Sequence, residues 1–281
     1  MLEPIVDELL LADATQCRAL AGRRIKTDRD DAANVAELLA AGRLPVAYAP
    51  PAHIAELRHW TRHRHHLSQQ HARVLHRVKS LMNLCNRPGP ARLKAPGLIR
   101  YLKAQRPRLN AAIVMQLEMA IDELVLFERQ LDIITIKLKA LLQQKVFVTD
   151  ATRLMSFPGV GIVIAATVLA EVGDFARFIH RNAIARYAGF NPSVYASGES
   201  CRTGHIAKAG SRDLRWAMVQ AAWVAIRSDP VIKKLWLKLK RRSDGKRAAI
   251  AIARRMLRWM WHTSKNRQRY QRVMTDRKSV V

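Results

Sequence analysis

Apolar side chains recur every three or four positions over most of this chain, and that rhythm predicts a mainly α-helical protein. From His53 to about Met82, the residues Ile54, Leu57, Trp60, Leu67, Val74, Leu75, Val78 and Leu81 fall on one side of a long helix whose opposite side is basic. A break at Arg87-Pro88-Gly89-Pro90 leads to a second helical stretch over 111–144. Its apolar side carries Leu117, Ile121, Leu124, Leu131, Ile134, Leu138 and Leu141. Two long helices facing each other make an antiparallel hairpin or coiled coil.

Upstream, residues 5–14 form an apolar run that we read as a buried strand, although periodicity alone does not separate such a strand from a helix. Thr27 then stands as a helix N-cap. Asp28, Asp30 and Asp31 suit the positive dipole end of a helix running through Leu38 and Leu39 to Gly42. Pro45, Pro50 and Pro51 mark a linker. From about Asp150 the chain reads as compact and helical, punctuated at Pro158-Gly159, Gly173, Gly189, Pro192, Gly198, Gly204 and Gly210. These breaks divide the chain into 1–48, 49–147 and 148–281.

Composition adds two constraints. The 281 residues are 49% apolar, enough to bury a core and to exclude wholesale disorder. Charge is the stronger signal: 49 Lys and Arg against 22 Asp and Glu leave +27, and +18 of it falls after residue 200. There the basic side chains meet only Asp213, Asp229, Asp244 and Asp276. Such an excess opposes compactness unless a polyanion shares the surface, so nucleic acid is the expected partner, ahead of a membrane surface. Cys17, Cys85 and Cys201 lie far apart, which argues against a disulfide framework or zinc knuckle and suits a reducing, cytoplasmic setting. No run reaches the ~18 apolar residues of a membrane span, and the start Met1-Leu2-Glu3-Pro4 has no leader-like pattern, so no membrane partner is expected.

Several groups could carry chemistry. Asp28 and Asp31, three apart at a helix start, share a face and can hold a divalent ion such as magnesium; acids in a first turn also serve simply to complement the dipole. Phe157-Pro158-Gly159-Val160-Gly161, ahead of the apolar stretch Ile162 to Val172, has the form of a helix-hairpin-helix turn. Gly159 and Gly161 would let its backbone approach a phosphate, and a plain tight turn between packed helices fits as well. His59 and His63 stand four apart, but the interleaved Arg58, Arg62, Arg64, Arg73 and Arg77 repel a dication and favour a nucleic-acid backbone face. The six tryptophans could stack on bases, but on amphipathic helices such residues more often belong to the core.

Two stretches carry a family resemblance. Lys26-Thr27-Asp28-x-x-Asp31-Ala32 resembles the signature that closes the metal site of DEDD insertion-sequence transposases, the family numbered one hundred and ten. Then Phe175-Ala176-Arg177-Phe178, Ala185-Arg186-Tyr187-Ala188-Gly189-Phe190-Asn191-Pro192, Tyr195-Ala196-Ser197-Gly198, Gly204-His205-Ile206-Ala207-Lys208-Ala209-Gly210 and Leu214-Arg215 are similar, in order and spacing, to that family's C-terminal transposase domain. The resemblance implies a remnant of a RuvC-like, RNase H-like α/β domain at 1–48, a long-helix region at 49–147 and a helical transposase domain with a basic tail at 148–281. It also implies a recombinase guided by a structured bridging RNA, which exchanges DNA strands using a Mg2+-bound acidic site and a serine matched by Ser197. A serine hydroxyl is a poor nucleophile at its free pKa and needs a base or metal. Arg202, His205, Lys208, Arg212 and Arg215 surround Ser197 in sequence and are expected to hold phosphates. An ordinary Ser-Gly turn with basic neighbours is the alternative.

The chain departs from the family pattern at its start. Members carry an earlier Asp on a first strand and a Glu before the closing Asp pair, whereas here only 27 residues precede Asp28. Asp13 is the best-placed substitute among Glu3, Asp7, Glu8 and Asp13. The expectation is an N-terminally shortened transposase with an incomplete metal site, and the rival reading is a non-catalytic nucleic-acid-binding chain that assists or competes with an intact copy. A basic ribosome- or chromatin-associated protein is a third reading, which the Ser197 and Asp28/Asp31 matches disfavour. A homo-oligomer is expected, since synapsis of two DNA partners needs more than one protomer in most schemes, and so is a cytoplasmic, nucleoid-associated location.

Overall fold

The computed structural model describes residues 10–21, 27–87, 89, 94–197 and 200–271, and the chain divides into two compact units, Met1–Ala52 and His53–Val281. Among the described residues there are eleven α-helices and one two-stranded sheet, so the fold is mainly α as the periodicity predicts.

In the first unit, α1 (Ala14–Ala21) starts at Asp13, whose Oδ1 accepts the amides of Thr15 and Gln16 at 3.0 and 3.1 Å. Half of the strand expected over 5–14, residues 5–9, lies outside the described residues. Within them Ala12 makes a single bridge to Val46, and α1 begins two residues later because Asp13 satisfies its first amides. Helix α2 (Asp28–Ala40) opens on Thr27, whose hydroxyl accepts the Asp30 amide. It closes through Gly42 at φ 63°, with Gly42 N–H bonded to Leu39 O and Arg43 N–H to Leu38 O. That pairing is the Schellman end, and its left-handed position is why glycine stands there. Asn34 Nδ2 donates to Cys17 O at 3.2 Å and ties α2 to α1. The described residues of this unit show two helices and one bridge, so an RNase H-like sheet is not seen among them.

The second unit begins with α3 (Ala52–Leu84), α4 (Ala95–Gln105) and α5 (Ala111–Leu142). Cross-helix contacts set the direction of α3 against α5: Glu56 meets Lys137 at 3.5 Å, Arg64 meets Thr135 at 3.0 Å, His71 meets Glu128 at 3.6 Å and Arg77 meets Glu123 at 2.6 Å. As one number rises the other falls, which is an antiparallel pair. The short α4, which the periodicity did not single out, packs Leu98 and Leu102 among Val74, Val78, Ile121 and Leu124. Glu128 Oε1 accepts its first amide, at Ala95.

The same helices run into a larger core. Helix α6 (Val148–Met155) leads through the Phe157–Gly161 turn to α7 (Ile162–Val172), which is buried at every position from Ala165 to Val172. A helix apolar all round belongs at the centre of a fold. Around it stand α8 (Arg181–Tyr187), α9 (Arg212–Ser228), α10 (Pro230–Lys240) and α11 (Gly245–Lys265), together with Leu57 of α3 and Leu138 of α5. Trp259 and Trp261 are buried here, and Trp261 Nε1 donates to Phe178 O, so these indoles serve the core.

Between α8 and α9 lies an antiparallel hairpin that helical periodicity does not predict. Strands β1 (Pro192–Ser197) and β2 (Ser200–Ile206) pair from Pro192 with Ile206 to Ser197 with Ser200, with an irregularity between Pro192 and Val194. The segment is rich in Ser, Thr and Gly, so its extended form gives little apolar alternation to detect.

Candidate nucleic-acid interface

The acidic group is simplest to place. Thr27 Oγ1 donates to Asp30 Oδ2 at 2.6 Å while accepting the Asp30 amide, so Asp30 is committed to the cap. Asp28 and Asp31 are exposed one turn apart. Asp13 is committed to the start of α1, and its hydrogen bonds, first the one from the Gln16 side chain, hold its carboxyl below the usual carboxylate range. Among the described residues no group of three or more His, Cys, Asp or Glu side chains converges as a metal would require. Asp28 and Asp31 alone therefore do not fit a resident magnesium.

Arg58 and Arg62, read from sequence as backbone-binding side chains, turn towards the end of α7. Arg58 Nε donates to Ala170 O at 2.9 Å. Arg62 grips Glu171 with two bonds, Nε to Oε1 at 2.8 Å and Nη2 to Oε2 at 3.1 Å, and this bond to Glu171 is the first cause of a raised Arg62 pKa. Glu171 is 1% exposed, and Ser211 Oγ donates to its Oε2 at 2.9 Å while Tyr187 donates to its backbone carbonyl. His65 is buried, with Nδ1 2.5 Å from Asp213 Oδ1 and its ring stacked on Trp216. Two guanidiniums and an imidazole thus hold α3 to α7 and to the start of α9. Their spacing on α3 could be read from the sequence; their partners, a carbonyl and two carboxylates more than a hundred residues away, could not.

The glycine turn divides similarly. Gly159 has φ 82°, and a Cβ there would stand 2.3 Å from Ala221 O, so its bare face is filled by α9. Gly161 is exposed at the start of α7, with nothing within 4 Å of an added Cβ and no side-chain cap. Of the two, only Gly161 leaves backbone open to a ligand.

The hairpin gathers most of the remaining candidates. Its register puts Ser197 at the turn end and Arg202 on β2 opposite Tyr195. Gly198 lies outside the described residues. At the other end the chain leaves β2 through His205 and Lys208, both exposed, and α9 begins with the exposed Arg212. Arg215 is half-buried and inward-facing. Its Nη1 donates to Ala188 O at 2.9 Å and Lys208 O at 3.2 Å, closing the loop onto α8, and burial lowers its pKa.

A groove of about 1000 Å3 runs between this base and α11, lined by Phe190, Pro192, His205, Ile206, Lys208, Arg247 and Arg254 among others. Arg247, Arg254 and Arg258, which the motif series did not reach, follow one another at steps of seven and four on α11. Ala249, Ile252, Ala253, Met256 and Met260 bury the other side. Arg247 is paired with Asp244 at 3.2 Å, whereas the Nε atoms of Arg254 and Arg258 are buried without a hydrogen-bond partner among the described residues. Burial, then the charges of Arg181, Arg254 and Arg255, lower the Arg258 pKa. Crowded cations with unmet donors suit a ligand rich in anionic acceptors, such as phosphates. The helical spacing of these arginines was the signal that could have found them.

No helix among the described residues is long and apolar enough to cross a membrane. Residues 151–237 match the Transposase IS116/IS110/IS902 family model, and residues 9–86 match the DEDD-type IS110 transposase model. A putative transposase of Sinorhizobium fredii is 26% identical over 85% of this chain and 66% of its own length. The 43.6 kDa protein of insertion element IS110 from Streptomyces coelicolor is 35% identical over 36% of this chain and 24% of its own length. The transposase for IS1111A of Coxiella burnetii is 32% identical over 40% of this chain and 32% of its own. The chain therefore spans from a quarter to two thirds of the length of these relatives. With a matching model at each end of this series of motifs, the chain carries transposase domains of the IS110 insertion-sequence family.

Proposed function

We propose that this chain binds DNA and exchanges DNA strands in transposition, with Ser197 as nucleophile. The observation that carries the reading is the hairpin between α8 and α9, which puts Ser197 at its turn while its base opens into a groove lined by His205, Lys208, Arg247 and Arg254. In the proposed step the serine oxygen attacks a backbone phosphorus and its proton passes to a base. The phosphorus–oxygen bond to the leaving sugar breaks, and that oxygen takes up a proton. Transfer of the phosphoryl group back to a different sugar hydroxyl restores the serine. Cations held in place beforehand stabilise the charge that gathers on phosphorus-bound oxygens. His205, Lys208, Arg212 and Arg202 are the candidates for this role, and Gly161 offers backbone at the start of α7.

A structured guide RNA, a cytoplasmic and nucleoid-associated setting, and a homo-oligomer complete the reading. The region boundaries at 48 and 147 belong to it as well, with acidic, long-helix and transposase regions in that order. Magnesium would supply activation of the attacking hydroxyl in a full DEDD site; Asp28 and Asp31 are the two carboxylates this chain would contribute. Strand exchange between two plasmids carrying donor and target sites, with guide RNA and Mg2+ present, tests the proposal. Ser197→Ala should abolish exchange while DNA binding persists. Exchange that survives this substitution removes Ser197 from the mechanism, and binding without exchange in the unsubstituted chain favours the non-catalytic reading, which the groove would serve equally.

A further inference from the structure

A second cationic cleft lies outside the groove and shares no lining residue with it. It measures about 380 Å3, and Val148, Thr149, Thr152, Arg153, Arg267 and Arg269 line it. The first four stand on α6, and the last two come from the chain that follows α11. Tyr270 holds that chain in place. Its amide donates to Ser156 Oγ at 2.9 Å and its ring packs on Phe157 with 4.7 Å between centroids, so the chain past α11 returns to α6. Arg267 itself lies in the left-handed region at φ 54°. Its amide donates to Ser264 O at 3.2 Å and the Gln268 amide to Thr263 O at 2.8 Å, the same helix end that Gly42 makes for α2. Glycine is the residue such a position favours. An arginine there gives up backbone ease and gains a guanidinium beside the cleft.

Charge and donor geometry fix the kind of ligand. Arg267 and Arg269 are exposed, and among the described residues neither is in an ion pair. No Asp or Glu is among the residues lining the cleft, and Asp150 accepts Arg153 Nη1 at 2.7 Å from outside it. Phe147, at the N-cap of α6, offers no side-chain acceptor to the amides of the first turn. Donors therefore outnumber acceptors around a small concave space. Guanidiniums bind phosphate oxygens through paired, charge-assisted hydrogen bonds, so three of them around one cleft suit a phosphate above other anions. The arginines carry the site, and the start of α6 adds to it. At about 380 Å3 against about 1000 Å3 for the groove, the cleft suits a single phosphate with its sugar and not a run of backbone.

We propose that the cleft between α6 and residues 267–269 is a second phosphate-binding site, which holds a backbone phosphodiester of bound nucleic acid apart from the Ser197 hairpin and its groove. The proposal rests on the reading that this chain binds nucleic acid. The test is equilibrium binding of the full chain to a duplex DNA and to a single-stranded RNA of equal length, at several salt concentrations. Arg267→Gln with Arg269→Gln should lower the magnitude of the log–log salt slope by roughly 1 to 2 for at least one probe. That change should add to the change from Arg254→Gln with Arg258→Gln, because the two sites are separate. Thr149→Glu should weaken the same probe roughly fivefold while the melting temperature holds or rises, since an acid in a first turn suits the helix dipole and repels a phosphate. An effect on one probe alone supports the site and assigns its strand. A slope that the Arg267 and Arg269 exchanges leave unchanged on both probes overturns the site. So does a change no larger than that from Lys233→Gln with Lys234→Gln. If the Arg254 and Arg258 exchanges still lower the slope, the nucleic-acid reading stands without this cleft; if neither pair does, both fall.

Discussion

Arg62 and Glu171 lie 109 positions apart in the chain and meet through two parallel hydrogen bonds of 2.8 and 3.1 Å. The carboxylate is 1% exposed while the guanidinium side chain remains 53% exposed. The pair therefore delivers a charge to a buried acid at the end of α7 and fixes α3 there. Among the described residues, Arg62→Ala would leave that carboxylate with the Ser211 hydroxyl as its side-chain donor, and we expect a loss of about 2 kcal/mol in urea unfolding. Arg62→Lys should fall between, since an ammonium cannot reproduce the planar fork. An unchanged urea midpoint for Arg62→Ala would show that the contact does not hold the two helices.

Gly159 and Gly161 should respond unequally to the same substitution. At Gly159 an alanine meets both a left-handed backbone and the Ala221 carbonyl, so Gly159→Ala should cost about 2 kcal/mol or more. Gly161→Ala has open space and should stay within about 0.5 kcal/mol. Thermal melts of both variants decide this, and equal melting temperatures would contradict the close packing of the turn on α9.

Arg254 and Arg258 have a measurable electrostatic signature. If six to ten basic side chains meet phosphates, affinity for duplex DNA should fall by roughly 10³ to 10⁵ between 50 and 200 mM salt. Replacing both arginines by Gln should lower the magnitude of the log–log salt slope by about 2, close to 0.9 for each phosphate contact. Replacing the exposed Lys233 and Lys234 of α10 by Gln is the matched control. If both pairs change the slope equally, charge is acting diffusely and the groove has no special part.

Asp244 caps α11 through the Arg247 amide at 2.8 Å, and that backbone hydrogen bond is the first cause of its lowered pKa. A depressed carboxylate stabilises the fold above its unfolded pKa of about 4, and the contribution is lost as pH falls through the folded value. Asp244→Asn keeps the cap without the titration. The acid limb of a stability profile should therefore be shallower for Asp244→Asn below about pH 4. Superimposable acid limbs would mean that this carboxylate is not linked to folding.

Local order was legible in the sequence because it depends on near neighbours. Apolar spacing marks α3 and α5, Thr27 announces the start of α2, and the Asp pair and the Ser197 motifs point to the family. The hairpin was not visible, since its polar strands carry no strong alternation. Of the strand expected over 5–14, the described end shows one bridge at Ala12 before Asp13 starts α1. The charge excess likewise stated that phosphates would be met, without saying where.

Tertiary structure decided which basic residues are held by partners within the chain. Arg58, Arg62 and Arg215 look like surface cations in one dimension, yet each donates to a carbonyl or carboxylate that the chain brings back from elsewhere. Arg254 and Arg258 lie beyond the motif series, yet they stand beside the groove or the cationic cluster with unmet donors. Periodicity and capping act within a turn or two of helix, so the sequence by itself determined the elements. A guanidinium finds its partner through space, so only the packing of α3, α7, α9 and α11 determined what each cation does.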